Sequence, residues 1–96
     1  TMAVKIMIRR KVSKDNEGQL LPLLIRLRSL ATAQPGYISG ETLRNIDDPE
    51  EYLVISTWQS LEDWQRWAES KQRAEIQDQI DALLGQKTEY AKYLYG

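Results

Sequence analysis

The chain has 96 residues, 13 basic and 14 acidic side chains, a net charge of −1, and neither cysteine nor histidine. Such a length holds one domain with a single small core, and a near-neutral chain with no basic run interleaved with aromatics is not expected to bind nucleic acid. Disulfides, thiolate chemistry, cysteine-bound zinc or iron–sulfur clusters and a histidine base are excluded, so neither a cofactor nor a metal is expected.

Val4, Ile6, Ile8 and Val12 alternate with Lys5, Met7, Arg9 and Lys11. Period two predicts a strand with one strongly apolar face. Arg9-Arg10-Lys11 reads as the end of that strand, its charges reaching solvent. A polar turn over 14–18 follows. Leu20, Leu23, Leu24, Leu27 and Leu30 are then spaced three and four apart, a helix stripe that Leu21 and Ile25 widen. Pro22 is tolerated near a helix start, which places that start around Glu17 to Gln19.

Gln34-Pro35-Gly36 stops the helix. Tyr37 to Arg44 reads as a strand, with Gly40 marking a bulge or a close approach. A polar loop then leads into the strand Glu51 to Trp58, so the two strands form a hairpin. The loop carboxylates Asp47, Asp48, Glu50 and Glu51 lack the spacing of a calcium loop and read as a solvated turn. Ser60 with Asp63 resembles a capping box opening a second helix, with Leu61, Trp64, Trp67 and Ala68 on one face. Ile76, Ile80, Leu83 and Leu84 continue the helical pattern up to Gly85, a C-terminal cap. Lys87 to Tyr95 alternates as a tyrosine-rich strand.

The order is βαββαβ with the second helix split. It predicts an α+β, ferredoxin-like split-βαβ domain over residues 2–96, a four-stranded antiparallel sheet with its helices on one face. The opposite face would carry Met7, Leu53, Ile55, Ala91 and Tyr93, or the complementary set. Both sets are apolar, so a homodimer is expected, sheet against sheet. No apolar run approaches the ~20 residues of a membrane helix. The expected setting is cytoplasmic, without a membrane partner.

Trp58, Trp64 and Trp67 fall within ten residues at one strand–helix corner. Three indoles there could wall a pocket for a flat aromatic guest, or they could fill the core. Tyr37 could donate a phenolic hydrogen bond, or fix its turn. Arg9 and Arg66 could stabilise an oxyanion, or sit in solvent. Gln77 could aim its amide into a cavity, or lie exposed.

Pro35-Gly36-Tyr37, the hairpin, and Trp58-Gln59-Ser60-Leu61-Glu62-Asp63-Trp64-Gln65-Arg66-Trp67 together resemble the antibiotic biosynthesis monooxygenase domain over residues 3–95. The resemblance implies a dimeric α/β barrel. It also implies a cofactor-independent monooxygenase acting with O2 on a small aromatic or quinol-type substrate. Non-catalytic small-molecule-binding or stress-related modules share that fold. In the quinone-forming branch Trp58 matches a pocket tryptophan, while Trp64 stands where that branch has a tyrosine and Val54 where it has an asparagine. In haem-degrading members Trp67 matches a tryptophan, Gln77 stands at the histidine and Arg9 near the asparagine. Haem degradation of that type is not expected of a chain without histidine. The implied substrate-binding set is Trp58, Trp64, Trp67, Val54 and Gln77, with Trp67, Tyr37 and Arg9 as catalytic candidates.

Overall fold

The structure, a computed structural model, describes residues 3–95. In chain order it contains β1 (Val4–Lys11), α1 (Glu17–Thr32), β2 (Tyr37–Arg44), β3 (Glu51–Trp58), α2 (Leu61–Ala68), α3 (Lys71–Leu84) and β4 (Glu89–Leu94). The strands make one antiparallel sheet in the order β2-β3-β1-β4. This is the ferredoxin-like α+β arrangement that the pattern predicts.

Alternation decides which face of the sheet is buried. Val4, Ile6, Ile8 and Val12 point inward and pack with Tyr52 and Trp58 of β3, Leu20 and Leu27 of α1, Trp64 and Trp67 of α2, and Ile76 and Ile80 of α3. α1 starts at Glu17, as the position of Pro22 suggests, and Asn16 donates from Nδ2 to the Leu83 carbonyl at 2.9 Å. That bond ties the start of α1 to the end of α3. Ser60 caps α2 by accepting from the Asp63 amide at 3.1 Å, and its hydroxyl donates to Asp63 Oδ2 at 2.9 Å. The split between α2 and α3 has a definite cause. Ser70 accepts from the Arg73 amide at 3.1 Å and so caps a second helix start.

The opposite sheet face carries Met7, Leu43, Leu53, Ile55, Ala91 and Tyr93, by the strand register. No helix covers it. The three helices all lie on the other side, so the choice between two possible outer sets falls to the one containing Met7, Leu53 and Ile55.

Gly36 fixes the corner that holds the tryptophans. Its φ is 86°, and a Cβ there would collide with the Asp63 carboxylate at the start of α2. Its carbonyl also accepts from the Gln59 amide at 2.7 Å. Left-handed backbone costs a non-glycine residue about 1–2 kcal/mol, and the collision adds to that. Gly36→Ala should therefore lower stability by about 2 kcal/mol or more, read as a lower urea midpoint at unchanged slope.

Candidate functional site

A cavity of about 270 Å³ lies between the inner sheet face and the helices. That is near the lower end of the ~300–1,000 Å³ typical of ligand pockets. Leu24, Leu27 and Ala31 of α1 form one wall, and Ile8 and Val54 the sheet floor. The two residues that widen the α1 stripe, Leu21 and Ile25, have their role here: they line the opening toward β2, with Ile25 68% exposed. Arg28 spans that opening, donating to the Gly40 carbonyl at 2.7 Å and to Thr42 Oγ1 at 3.4 Å.

The three indoles are both core and wall. Trp58, Trp64 and Trp67 are all buried, and all line the cavity. Tyr37 meets Trp58 edge-on at a centroid distance of 5.4 Å, and Trp58 meets Trp64 at 5.8 Å, in geometries favoured by the ring quadrupoles. Trp58 Nε1 donates to Ser56 Oγ at 3.1 Å, so its polar edge is satisfied within the sheet and its face is left for packing. Gly40 lets the Tyr37 phenol lie over the β2 backbone, where a Cβ would strike its hydroxyl. The close approach expected at Gly40 is thus a side chain, and the strand irregularity falls between Tyr37 and Ser39.

The deep end is cationic. Arg10, in phase with Ile6 and Ile8 on β1, is only 4% exposed, and Arg73 of α3 is also buried. Both line the cavity. Arg10 therefore departs from the surface reading of Arg9-Arg10-Lys11: strand parity turns the middle residue inward, whatever its charge. Arg10 Nη2 donates to Gln77 Oε1 at 3.0 Å, and Arg73 Nη2 reaches the same oxygen at 3.4 Å. Gln77 Nε2 donates to Asp81 Oδ1 at 2.8 Å and to Thr88 Oγ1 at 3.2 Å, which fixes its amide orientation. Arg73 also donates to the Tyr90 hydroxyl and lies over the rings of Trp64 and Tyr90, 5.6 and 5.3 Å from their centroids.

Neither guanidinium forms an ion pair with a carboxylate among the described residues. Arg10 Nε is buried without any hydrogen-bond partner. Loss of hydration pushes the Arg10 pKa down to about 10, with the nearby Arg73 cation adding to the effect while Tyr90 and Asp81 oppose it.

Of the residues singled out in the sequence, Tyr37, Val54, Trp58, Trp64 and Trp67 come together around the cavity. Gln77 is buried behind it, holding the two arginines. Arg9 is on the outer sheet face, its side chain 55% exposed, 4.0 Å from both Glu51 and Glu89. Arg66 lies at the surface, paired with Asp63 at 3.1 Å. The acidic hairpin loop engages Lys11 through Asp48, and no cluster of His, Cys, Asp or Glu suited to a metal occurs among the described residues. Sequence reasoning missed Arg10 and Arg73. The signal was present: Arg10 keeps the period of two, and Arg73 lies three and seven residues before Ile76 and Ile80, on the inward stripe of α3.

Fold and hollow together define a class, a ferredoxin-like α+β domain that encloses an apolar site between its sheet and its helices. Residues 3–79 match the antibiotic biosynthesis monooxygenase family, and the chain belongs to that family. Protein SchA of Streptomyces halstedii is 23% identical over 73 residues, which cover 76% of this chain and 19% of SchA. The chain thus spans about a fifth of the length of that curated relative. SnoaB, a cofactor-independent oxygenase from Streptomyces nogalater, has the same fold with a TM-score of 0.84 at 18% identity, covering 97% of this chain and 92% of SnoaB. A conserved protein from Methanosarcina mazei Go1 superposes with a TM-score of 0.88 at 17% identity, covering 96% of this chain and 91% of that protein.

Proposed function

We propose that the protein is a cofactor-independent monooxygenase that oxidises a small aromatic or quinol-type substrate with O2 inside this cavity. The observation that carries the reading is an apolar hollow walled by three indoles and lined by two buried guanidiniums that have no carboxylate partner among the described residues. Family membership and the fold shared with an oxygenase support it.

Triplet oxygen reacts with an organic molecule once an electron has been released to it, so an enzyme without flavin or metal needs its substrate as an electron-rich anion. The indoles and Tyr37 hold a planar ring. Arg10 and Arg73 lower the pKa of a bound phenol or enol by favouring its anion, an effect strengthened by the dry surroundings. A ring CH2 activated in this way loses a proton, and the anion passes one electron to O2. Recombination forms the C–O bond, and loss of water from the hydroperoxide leaves a carbonyl. The four electrons lost by the CH2 reduce one O2 to one product oxygen and one water.

Oxygen uptake with an anthrone or quinol tests this. The wild type should exceed the background rate, and Trp58→Phe should lower that rate by reshaping the wall. Uptake equal to background, unchanged by Trp58→Phe, would favour a second reading, a non-catalytic small-molecule-binding module. Val54 and Trp64 lend that reading weight, because both put apolar groups on the cavity wall. We infer further that the working unit is a homodimer joined through the outer sheet faces.

A further inference from the structure

We propose that the ligand of this cavity is an aryl carboxylate, its planar acid group seated between Arg10 and Arg73 and its ring system against the indoles. The inference rests on the cavity being the substrate site, and it names the chemical class of that substrate.

Two guanidiniums converge on one neutral amide oxygen, Gln77 Oε1, at 3.0 and 3.4 Å. Like charges brought together out of water repel, and each loses hydration. Three surface arginines have carboxylates, with Arg44 3.2 Å from Glu17 and Arg66 3.1 Å from Asp63, and the exposed Arg26 and Arg28, which have none among the described residues, keep their hydration. The two buried ones have none among the described residues. Of the three Arg10 nitrogens, only Nη2 has a partner among the described residues, and Nε is orphaned. Folded proteins seldom leave a buried donor empty, and each such group asks for an explanation.

Arg10 Nε is sealed from the cavity as well as unpaired, so what a planar anion would answer is the charge of two guanidiniums that both line the hollow without a carboxylate among the described residues. A carboxylate has two oxygens and about four lone-pair sites, matching the fork of a guanidinium. With one carboxylate held, the pair keeps a net positive charge that still favours loss of a proton from the ring system. The cavity of about 270 Å³, lined largely by Leu, Ile, Val, Trp and Tyr side chains, matches a small apolar ring system. The ring system then lies among Trp58, Trp64 and Tyr37, which line the same cavity.

The probes are 2-naphthoate and its neutral isostere 2-naphthamide, titrated calorimetrically into the full chain, with thermal unfolding followed in parallel. The wild type should bind the acid at least about tenfold more tightly than the amide, the scale of one charge-assisted hydrogen bond. Arg10→Met should bind both equally, near the wild-type affinity for the amide. Arg10→Lys should recover part of the preference, since it restores charge without the planar fork. Unfolding temperatures show whether each variant is folded, and Arg73→Gln provides an independent removal of the second cation. Equal wild-type affinity for acid and amide, retention of the preference in Arg10→Met, or no binding of either probe would each overturn the proposal. Neither probe needs to be oxidised. Acid selectivity without oxygen uptake would count against the oxygenase reading alone, and oxygen uptake without acid selectivity would count against this inference alone.

Discussion

Arg10→Met should be more stable than the wild type by on the order of 2 kcal/mol. The prediction runs against the usual outcome of core substitutions, which lose stability. Its basis is the cost of an unpaired cation. Burial lowers the Arg10 pKa to about 10, well under the ordinary arginine range. Each tenfold change in proton affinity is worth about 1.4 kcal/mol, so the charged form is held at a cost of about 3 kcal/mol. The lost bond to Gln77 returns about 1 kcal/mol of that. Methionine keeps the unbranched stem and fills the space beside Ile8 without a charge.

The pH dependence has a definite sign. A base whose folded pKa is depressed destabilises the fold wherever it is charged, that is, below its folded pKa. The penalty is full at neutral pH and is relieved as pH rises through about 10. Urea unfolding of wild type and variant from pH 7 to pH 11 should therefore show a gap that narrows above pH 10. Arg73, Tyr90 and Asp81 face this position from α3 and β4, so the difference reports Arg10 together with its coupling to these three groups. A less stable Arg10→Met at pH 7 would mean that the guanidinium is a structural strut. A saturating acid ligand should narrow the gap by about 1.4 kcal/mol, because it binds the wild type about tenfold more tightly than the variant.

The same arginine shows where sequence legibility ends. Element order, the Pro35-Gly36 turn, the Ser60 cap and the Gly85 cap are local signals, each written in a few adjacent residues. The structure has Gly85 at φ 71°, receiving the C-terminus of α3 as the pattern predicts. The corner tryptophans were legible as a place, because three of them mark it. Their double role was not, since whether an indole fills or encloses depends on what α1 brings across, and Leu24, Leu27 and Ala31 stop short of it. Arg10 was hidden by its neighbours. Charge in the triplet Arg9-Arg10-Lys11 argues for solvent, whereas parity argues that every second residue from Val4 to Val12 points inward. Parity prevails because a strand hydrogen-bonded on both sides, as β1 is to β3 and β4, cannot rotate one residue out of phase without losing ladder bonds. Gln77 follows the same logic on α3, one turn from Arg73 and beside Ile76.

Ile55→Glu should convert a homodimer into a monomer while leaving the cavity intact. Ile55 lies near the centre of the outer sheet face, paired across strands with Met7 and Glu41, with Leu53 beside it on β3 and Ala91 beyond Met7 on β4. Charge flanks this apolar centre, with Arg9 4.0 Å from Glu51 and Glu89, Lys5 two residues before Met7 and Glu41 on the edge strand. An apolar core inside a polar border is the anatomy of a protein interface. Four strands of six to eight residues span roughly 25 by 20 Å, at or above the size of apolar patch that monomers tolerate in water. Two-fold pairing would bring each Ile55 near its own copy or near Met7 of the partner, so one glutamate per chain buries two like charges in one small interface. The cost of several kcal/mol from such uncompensated charge exceeds what rim ion pairs return. Sedimentation should find about twice the chain mass of 11.2 kDa for the wild type and the single-chain mass for Ile55→Glu. Binding of 2-naphthoate should survive in the monomer, because the cavity lies between the inner sheet face and the helices and the altered side chain faces the other way. A wild type that sediments as a single chain at micromolar concentration would remove the pairing and leave the half-buried Met7, Leu53 and Ile55 without a role at an interface.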